Sequence, residues 1–380
     1  MKVQSITLAA IVLKVIKMKI YNPLNLHQNG RFIMDNKFLI ICSFILFTQF
    51  LCAEVIEQIP IEEKIATQKI LGMIEHSVKT EALHGQARRD AHPKSHGCVM
   101  AKFSVLASLP KSLKMGIFKE LRDYPAWIRF SNGSGKIQDD SEGDGRGMAI
   151  KLMGVEKSKS LTQDFVMINH PVFFVRNASD YVEFQQAIIA DSPFRFFFPS
   201  LNPFKFRLRE FWIVNEIKNK DVTNPLDIQY WSQTPYSFGQ SAVKYSARSC
   251  HKSIPLHESS SPNYLRENMV RQLEKSSACF EFMVQVRNQS TDMPIEDPTI
   301  EWSEEMSPFI TVARVTIPPQ QFNTPKQNEL CENLSFSPWH ATPEHRPLGG
   351  INRVRKVVYE TISRVRHEIN GQEIIEPTRF

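Results

Sequence analysis

Residues 355–366 read RKVVYETISRVR, a basic stretch with helical spacing that also carries a tyrosine. At about 100° per residue, Tyr359 and Arg366 fall about 40° and about 20° from Arg355, so the three side chains share one edge of a helix. The adjoining arc is apolar and contains Val354, Val358, Val365 and Ile369. A helix packed on that arc presents its tyrosine–arginine edge beside the packing face. An ordinary amphipathic helix with boundary arginines has the same pattern, so the interpretation needs support from the rest of the chain.

The chemistry of this edge suits an iron ligand. A phenol has a pKa of about 10, and a guanidinium one helical turn away favours the phenolate. Tyrosinate is an axial ligand of haem iron, and the two propionates of haem attract arginines. One helix could therefore supply Tyr359 as the ligand, Arg355 to keep it ionised and Arg366 to contact a propionate.

Length and composition set the class of protein. The chain has 380 residues, which allows one large domain or two ordinary ones. Hydrophobic residues make up 42% and charged residues 23%, and the 26 Phe indicate a large packed core or a pocket for a large flat ligand. The net charge is +6, but no dense basic block with interleaved aromatics occurs, so no nucleic-acid partner is predicted.

The N-terminal region differs from the rest. Residues 38–52, FLIICSFILFTQFLC, form an apolar run preceded by Lys37. This length is short for a membrane span and typical of a signal-peptide core. We expect residues 1–33 to precede the true start at Met34, residues 34–53 to be a signal peptide cleaved near Ala53, and residues 54–380 to form one domain. The protein would then be exported, to the periplasm or outside the cell; an uncleaved membrane anchor is the alternative.

Cysteines are few in the expected mature chain, which keeps Cys98, Cys250, Cys279 and Cys331. Four cysteines over this length do not form a disulfide framework, and none has the spacing of a zinc site. A single bridge is possible in an oxidising compartment.

The hydrophobic pattern predicts an α+β fold. Helical spacing occurs over residues 60–83, 181–190 and 352–370, the last with Gly371 as its C-terminal cap. Strand-like runs occur at residues 98–107, 126–133, 147–154, 164–175, 242–250, 279–287 and 310–318, whereas residues 191–240 read as irregular. The strands follow one another through mostly short turns without regular β-α alternation. We therefore expect an antiparallel sheet or barrel with attached helices.

The helix motif, R-x-x-x-Y followed by R-x-R at Arg355, Tyr359, Arg364 and Arg366, resembles the proximal helix of the haem catalases. The resemblance implies an antiparallel β-barrel core with surrounding helices and a C-terminal helix that carries the iron-ligating Tyr359. It also implies that Arg355 supports the tyrosinate and that Arg366 contacts a haem propionate.

Further elements of the catalase pattern follow in the same chain order. RRDAHPKSHGCVMAKF (88–103) would supply Arg89 to a propionate and His92 as the distal acid/base. AWIRFSNG (126–133) would supply Arg129 to a propionate and Ser131 to support His92. RGMAIKL (146–152) follows, then INHPVFFVR (168–176), which would supply the distal Asn169, and FSP (336–338).

Aromatic residues would complete the pocket. Phe174 would contact the haem, and Phe173, Phe174 and Tyr181 would wall the pocket or its access channel.

Two departures from the catalase pattern lie near the distal histidine. Lys94 stands where an arginine is usual, and His96 is a rival for the distal role. A zinc site built on His84, His92 and His96 is disfavoured, because Pro93 interrupts a helix and no acidic or cysteine ligand stands nearby. The chain also ends soon after the tyrosine helix, so it resembles the small catalase-related haem proteins without the C-terminal helical domain.

The function implied by the resemblance is the haem b-dependent breakdown of hydrogen peroxide, in catalase or peroxidase mode. An enzyme of fatty-acid hydroperoxides, similar to allene oxide synthase or an organic peroxidase, is an alternative, and the Phe-rich residues 194–212 would then line its channel. A haem-binding protein with little turnover is a third hypothesis. The expected substrates are hydrogen peroxide or an organic hydroperoxide, and a homo-oligomer is possible.

Overall fold

The computed structural model describes residues 57–156, 158–250, 260–288 and 292–380. The predicted start at Met34, the signal peptide and its cleavage near Ala53 lie outside these residues. No helix of the described residues is both long and apolar enough to cross a bilayer.

The centre of the fold is a closed antiparallel barrel. In chain order its strands are β1 Ser95–Val105, β2 Asp123–Asn132, β3 Arg146–Met153, β4 Thr162–Ile168, β5 Tyr230–Trp231, β6 Tyr236–Phe238, β7 Ser241–Ser249, β8 Ala278–Val286 and β9 Ile310–Ile317. The ring runs β1-β2-β3-β4-β5-β7-β8-β9 and closes where β9 pairs with β1, while β6 forms a hairpin with β7. The predicted barrel is confirmed.

Aromatic rings fill the barrel interior. In β8, Phe280, Phe282 and Val284 belong to the core and are fully buried, and Met283 and Gln285 between and beyond them are buried as well. Phe282 meets Phe103 of β1 at 5.1 Å and Phe165 of β4 at 4.6 Å between ring centroids. These contacts show that the barrel is a packed core and not a pore. Each such ring removed from water stabilises the fold by about 1.5–3 kcal/mol.

Helices surround the barrel. They are α1 Glu63–Ala82, α2 Ala178–Ile189, α3 Phe194–Phe197, α4 Leu208–Lys218, α5 Tyr264–Leu273, α6 Pro325–Asn333 and α7 Gly350–Asn370, with short 3-10 turns at Lys111–Leu113, Gly116–Phe118, Pro203–Lys205 and Pro343–His345. α1, α2 and α7 share a second apolar cluster, in which Ile70 and Ile74 pack with Val182, Val358 and Ile362. We call this cluster the helical layer.

α7 is fixed at both ends. Gly371 ends it with φ 64°, as the sequence predicts for a left-handed cap. Near its start, Arg353 binds three carboxylates: Glu57 and Glu63 at 2.6 Å each and Glu296 at 2.7 Å. The position of α7 therefore depends on segments that are far apart in sequence.

Two disulfides occur where the sequence suggested that a single bridge was possible. Cys98 of β1 pairs with Cys331 of α6, and Cys250 pairs with Cys279 of β8. The partners of the first bridge are separated by 233 positions. Only the fold brings them together, which is why spacing alone did not predict it.

Several helices were missed by the sequence analysis. Residues 191–240, predicted to be irregular, contain α3, α4, β5 and β6, and neither α5 nor α6 was predicted. In α5 the buried Leu265, Met269 and Leu273 alternate with charged residues, so its apolar face is narrow. The fourth strand ends at Ile168 and not at residue 175, because the chain turns away from the sheet at Asn169 and Pro171.

Candidate active site

His92 lies in the loop before β1 and is held on both sides by β2. Its Nδ1 lies 3.0 Å from Ser131 Oγ, and Arg129 donates to its main-chain carbonyl at 2.8 Å. The backbone of His92 has φ 61°, a left-handed conformation that costs a non-glycine residue on the order of 1 kcal/mol or more. Ser131, which was predicted to support His92, thus contacts its ring, and Arg129, which was predicted to contact a propionate, holds its main chain.

Gly147 of β3 packs against the imidazole. A Cβ at this position would lie 2.7 Å from His92 Nδ1 and 2.9 Å from Ser131 Oγ. Gly147 is also the register partner of Ser131. The glycine of RGMAIKL therefore leaves space for the ring, a role that the sequence analysis did not assign.

The imidazole of His92 is neutral near pH 7. Burial lowers its pKa to about 4, and the positive charge of Arg129 acts in the same direction. A neutral imidazole can accept a proton, which a protonated one cannot do.

Asn169 follows β4 at the same edge of the barrel. Its Oδ1 accepts from the main-chain N–H of Arg146 at 2.8 Å. Its Nδ2 is buried and has no hydrogen-bond partner among the described residues. Because Ser131, Gly147 and Ile168 are aligned across β2, β3 and β4, the histidine and the amide lie at the same edge of the barrel. The free amide hydrogens can donate to a small ligand there.

Arg89, Arg129 and Arg366, the predicted propionate contacts, lie close together around one carboxylate. Glu332 Oε1 is 2.8 Å from Arg89 Nη1 and 2.9 Å from Arg366 Nη1. Burial and then Arg89 lower the pKa of Arg366 to about 10, and the same two causes lower the pKa of Arg129. Arg129 Nε is buried and has no hydrogen-bond partner in the described part of the chain. Three guanidiniums beside one carboxylate leave capacity for further carboxylates.

Glu332 was not singled out from the sequence. It lies near the C-terminal end of α6, directly after the disulfide-bonded Cys331. Main-chain carbonyls of Cys331, Glu332 and Leu334 also accept from Arg89. No sequence signal marked this segment, since a single glutamate in a polar helix is usually solvated.

On α7, Tyr359 is partly buried at the border of the helical layer. Arg355 Nη1 lies 3.2 Å from Thr234 Oγ1, and the guanidinium lies over the ring of Phe173 at 5.3 Å. Among the described residues, no hydrogen bond joins Arg355 to Tyr359. Arg364 pairs with Glu368 at 3.1 Å on the exposed side of the helix. The support of Tyr359 by Arg355 stays a prediction.

Aromatic side chains connect the end of β4 to α7. Phe174 meets Phe173 at 4.7 Å and Tyr181 at 6.3 Å between ring centroids. Tyr181 packs against the same cluster as Tyr359. Phe174 thus lies in an aromatic wall beside the tyrosine helix.

His96, the rival of His92, belongs to a separate polar network. Its Nε2 lies 2.9 Å from Asn132 Oδ1, and Asn132 also contacts Asp140 at 3.0 Å. Lys94 pairs with Asp140 at 2.7 Å, and both are buried. Lys94 thus holds a loop together behind the site. No group of three His, Cys, Asp or Glu side chains that could bind a metal ion occurs in the described part of the chain.

A cavity of about 770 Å³ opens beside the arginine cluster, with Arg88, Arg266 and Glu332 among its lining residues. Neither His92 nor Tyr359 lines it. The contacts of His92, Asn169 and the arginines, and not this cavity, therefore define the candidate site.

Comparison with known proteins confirms the predicted resemblance to the catalase superfamily. Residues 82–195 match the family model named catalase. No protein of curated function matches the chain. A fungal catalase structure covers 95% of this chain and 70% of its own, with TM-score 0.62 and 16% identity.

Two further structures agree. Catalase A from Saccharomyces cerevisiae matches with TM-score 0.62 and 17% identity over 95% of this chain and 72% of its own. A bacterial catalase matches with TM-score 0.55 and 15% identity over 94% of this chain and 67% of its own. At these identities the likeness shows the fold, and the fold is that of catalases.

Proposed function

We propose that this chain, which has the catalase fold and matches the catalase family over residues 82–195, is a haem-dependent enzyme that acts on peroxides. One observation carries the proposal. A neutral histidine fixed by Ser131 lies at the same barrel edge as the buried Nδ2 of Asn169, which has no hydrogen-bond partner among the described residues. This pair can move a proton between two oxygen atoms while holding the molecule that contains them.

The residues present fit a haem b group. A tyrosine is a suitable ligand for ferric iron. The surplus of guanidinium over carboxylate and the unpartnered Arg129 Nε suit the two propionates. The holding set would be Arg89, Arg129, Arg355, Tyr359, Arg366 and Phe174. When bound, the haem would supply the redox chemistry of O–O bond cleavage.

The distal residues would handle the proton. With Nδ1–H donating to Ser131 Oγ, the other ring nitrogen of His92 carries a lone pair. That nitrogen would take a proton from one oxygen of hydrogen peroxide, the one nearer the haem iron, and return it to the other oxygen, which leaves as water. Asn169 Nδ2 would donate to the peroxide and hold it in line.

Organic hydroperoxides are the second candidate substrate. The observation that favours them is the run of aromatic contacts from Phe174 through Phe184 to Phe196, which joins the site to the Phe-rich segment 194–212. The buried rings pack on one another, and neither described cavity is lined by Phe196 or Phe197. A long substrate would therefore have to displace packed rings.

The deciding experiment measures oxygen evolution from hydrogen peroxide by the haem-loaded protein, with an optical spectrum recorded alongside. The wild type should release oxygen, and His92→Ala should keep its haem but lose about 10²–10⁴-fold in peroxide turnover. His76→Ala, which removes an exposed histidine of α1, is the matched control and should retain full activity. Equal oxygen release by wild type and His92→Ala would contradict the distal assignment.

The result also separates the alternatives. Bound haem with little oxygen but rapid loss of an organic hydroperoxide would favour the second candidate. Bound haem with no turnover of either peroxide would leave a haem-binding protein.

Location and assembly are parts of the same proposal. Two disulfides persist best in an oxidising compartment, which supports export to the periplasm or the medium. Cell fractionation tests this. A homo-oligomer also stays a prediction, and sedimentation velocity measures it.

A further inference from the structure

The Phe-rich segment 194–212 has a buried half and an exposed half. Phe196 and Phe197 are 1% and 6% exposed. Five large apolar side chains of the same segment face solvent, with the following exposures: Phe194 67%, Leu201 100%, Phe204 96%, Leu208 51% and Trp212 59%. We call these five the apolar tip. Large apolar side chains exposed this close together in sequence are typical of an interaction surface.

The apolar tip rests on a built base. Below it, Phe198 meets Phe206 at 5.1 Å and Phe211 at 5.5 Å between ring centroids. Arg207 donates to the Phe196 carbonyl at 2.8 Å and lies 2.6 Å from Glu183 of α2. Pro199 and Pro203 restrict the connecting loop. The exposed rings are therefore presented by a packed scaffold, and their exposure is a feature of the fold.

The segment of the apolar tip contains more cations than acids. Of Arg195, Lys205, Arg207 and Arg209, two are paired outside the segment: Arg207 lies 2.6 Å from Glu183 and Arg209 lies 3.9 Å from Asp297. The one acid of the segment is Glu210. Glu210 is buried and bound to Arg176 at 2.9 Å, so it does not offset charge at the surface. Arg195 and Lys205 are exposed and form no ion pair with any described residue.

Aromatic and leucine side chains flanked by free cations match the surface of an anionic bilayer. Such rings enter the headgroup region, where tryptophan is favoured, while Lys and Arg reach the lipid phosphates. A second copy of the chain fits less well. Interface cores are depleted in lysine, and two copies meeting at this face would bring their free cations together.

We propose that the apolar tip docks the protein on a membrane surface rich in anionic lipid. Leu201 and Phe204, the most exposed members, would enter the headgroup region, and Arg195 and Lys205 would bind the phosphates. This inference goes beyond the peroxide chemistry and uses none of the active-site residues, so either could fail alone.

Vesicle binding tests the inference on the full chain. Vesicles of phosphatidylcholine and phosphatidylglycerol in equal parts should sediment the wild type, with a blue shift of Trp212 emission. The double variant Leu201→Ser/Phe204→Ser should bind at least about tenfold more weakly, since two apolar side chains that would be buried in the bilayer are lost. Leu121→Ser removes a 72% exposed leucine outside the segment and should bind like wild type. Residues 1–56 are common to all variants, so differences report the tip.

A second variant separates charge from apolar insertion. Arg195→Gln/Lys205→Gln should lose the preference for phosphatidylglycerol over pure phosphatidylcholine vesicles. Circular dichroism and thermal unfolding would show that each variant is folded. Equal vesicle binding by wild type and Leu201→Ser/Phe204→Ser would overturn the proposal. The proposal would also be overturned if the wild type did not bind vesicles but self-associated in sedimentation velocity while the double variant stayed monomeric. That result would identify a second copy of the chain as the partner of the apolar tip.

Discussion

The barrel edge around His92 and the helical layer around Tyr359 position their side chains by different means. At the barrel edge, strand register aligns Ser131 with Gly147, and hydrogen bonds of 3.0 Å or less hold the imidazole and its carbonyl. In the helical layer, Tyr359 is positioned by apolar packing, and no described residue hydrogen-bonds its phenol. The groups proposed to transfer protons are thus fixed by directional contacts, whereas the position of the proposed iron ligand depends on where α7 packs.

Replacing Tyr359, the proposed iron ligand on α7, should have the largest effect on haem retention and activity. Tyr359→Phe keeps the packed ring and deletes the oxygen, so haem retention and peroxide turnover should both be abolished under the proposed function. Haem content by absorbance checks this. Tyr264→Phe removes a phenol that donates to the Asp140 and Val222 carbonyls away from the site, and it should retain haem. Full haem binding by Tyr359→Phe would contradict the proposal that Tyr359 of α7 is the iron ligand.

Disturbing the barrel edge should give the next largest effect. Gly147→Ala forces the His92 ring to move, because the new Cβ would lie 2.7 Å from Nδ1. A displacement of about 1 Å at a catalytic group can cost about 10²-fold in rate, and haem should stay bound. The measurement is kcat for peroxide loss together with haem content.

Gly72→Ala is the matched control for that variant. Gly72 lies in α1, with nothing within 4 Å of a Cβ placed there. The substitution should leave activity unchanged and stabilise the helix by up to about 1 kcal/mol. An active Gly147→Ala enzyme would show that the imidazole position is not restrictive.

The Cys98–Cys331 bridge connects the two regions, because Cys331 precedes the glutamate that binds Arg89 and Arg366. Replacing both cysteines by serine should lower the free energy of unfolding by about 2–5 kcal/mol. It should also weaken haem retention, since Glu332 loses its anchor to β1. Chemical denaturation and haem loss rates measure the two effects. Cys250→Ser/Cys279→Ser is the control, and it should lower stability without changing haem loss.

The smallest expected effect concerns the pH dependence of activity and stability, which should reflect the lowered pKa of His92. The folded-state pKa of His92 is lowered to about 4, below the ordinary value of 6.5. The unfolded chain therefore binds this proton first as pH falls, so stability decreases from about pH 6.5 down to about pH 4. Activity should stay flat through pH 6 and fall near pH 4. Rate–pH profiles test this, and an acid limb near 6.5 would mean that the imidazole is solvated.

Much of this arrangement could be predicted from local pattern. The helical spacing of α7, its Gly371 cap and the strand over residues 279–287 were all visible in the sequence and are present in the fold. The predicted distal residues His92, Ser131 and Asn169 do come together at one edge of the barrel. Their catalytic roles, like the haem ligands, stay predictions.

The rest depended on contacts between distant segments. Three features form only once β1, β3 and α6 are side by side. They are the contacts of Glu332, the Cys98–Cys331 bridge and the space above Gly147. The helices α4 to α6 were missed because their apolar faces are narrow or interrupted by polar residues. No local pattern carried these features.

The closure of the barrel has a consequence for how the protein is made. β1 pairs with β9 more than 200 positions away, and Arg353 joins α7 to Glu57 and Glu63 near the opposite end of the described chain. Such distant pairings form slowly, because the entropy of closing a long loop is lost before the contact is gained. The arginine cluster needs Arg89 and Arg366 together, so it assembles only after most of the chain has emerged. Under the proposed function, haem would therefore be captured late, after most of the chain has been synthesised, and the nascent chain would spend a long interval without a finished site.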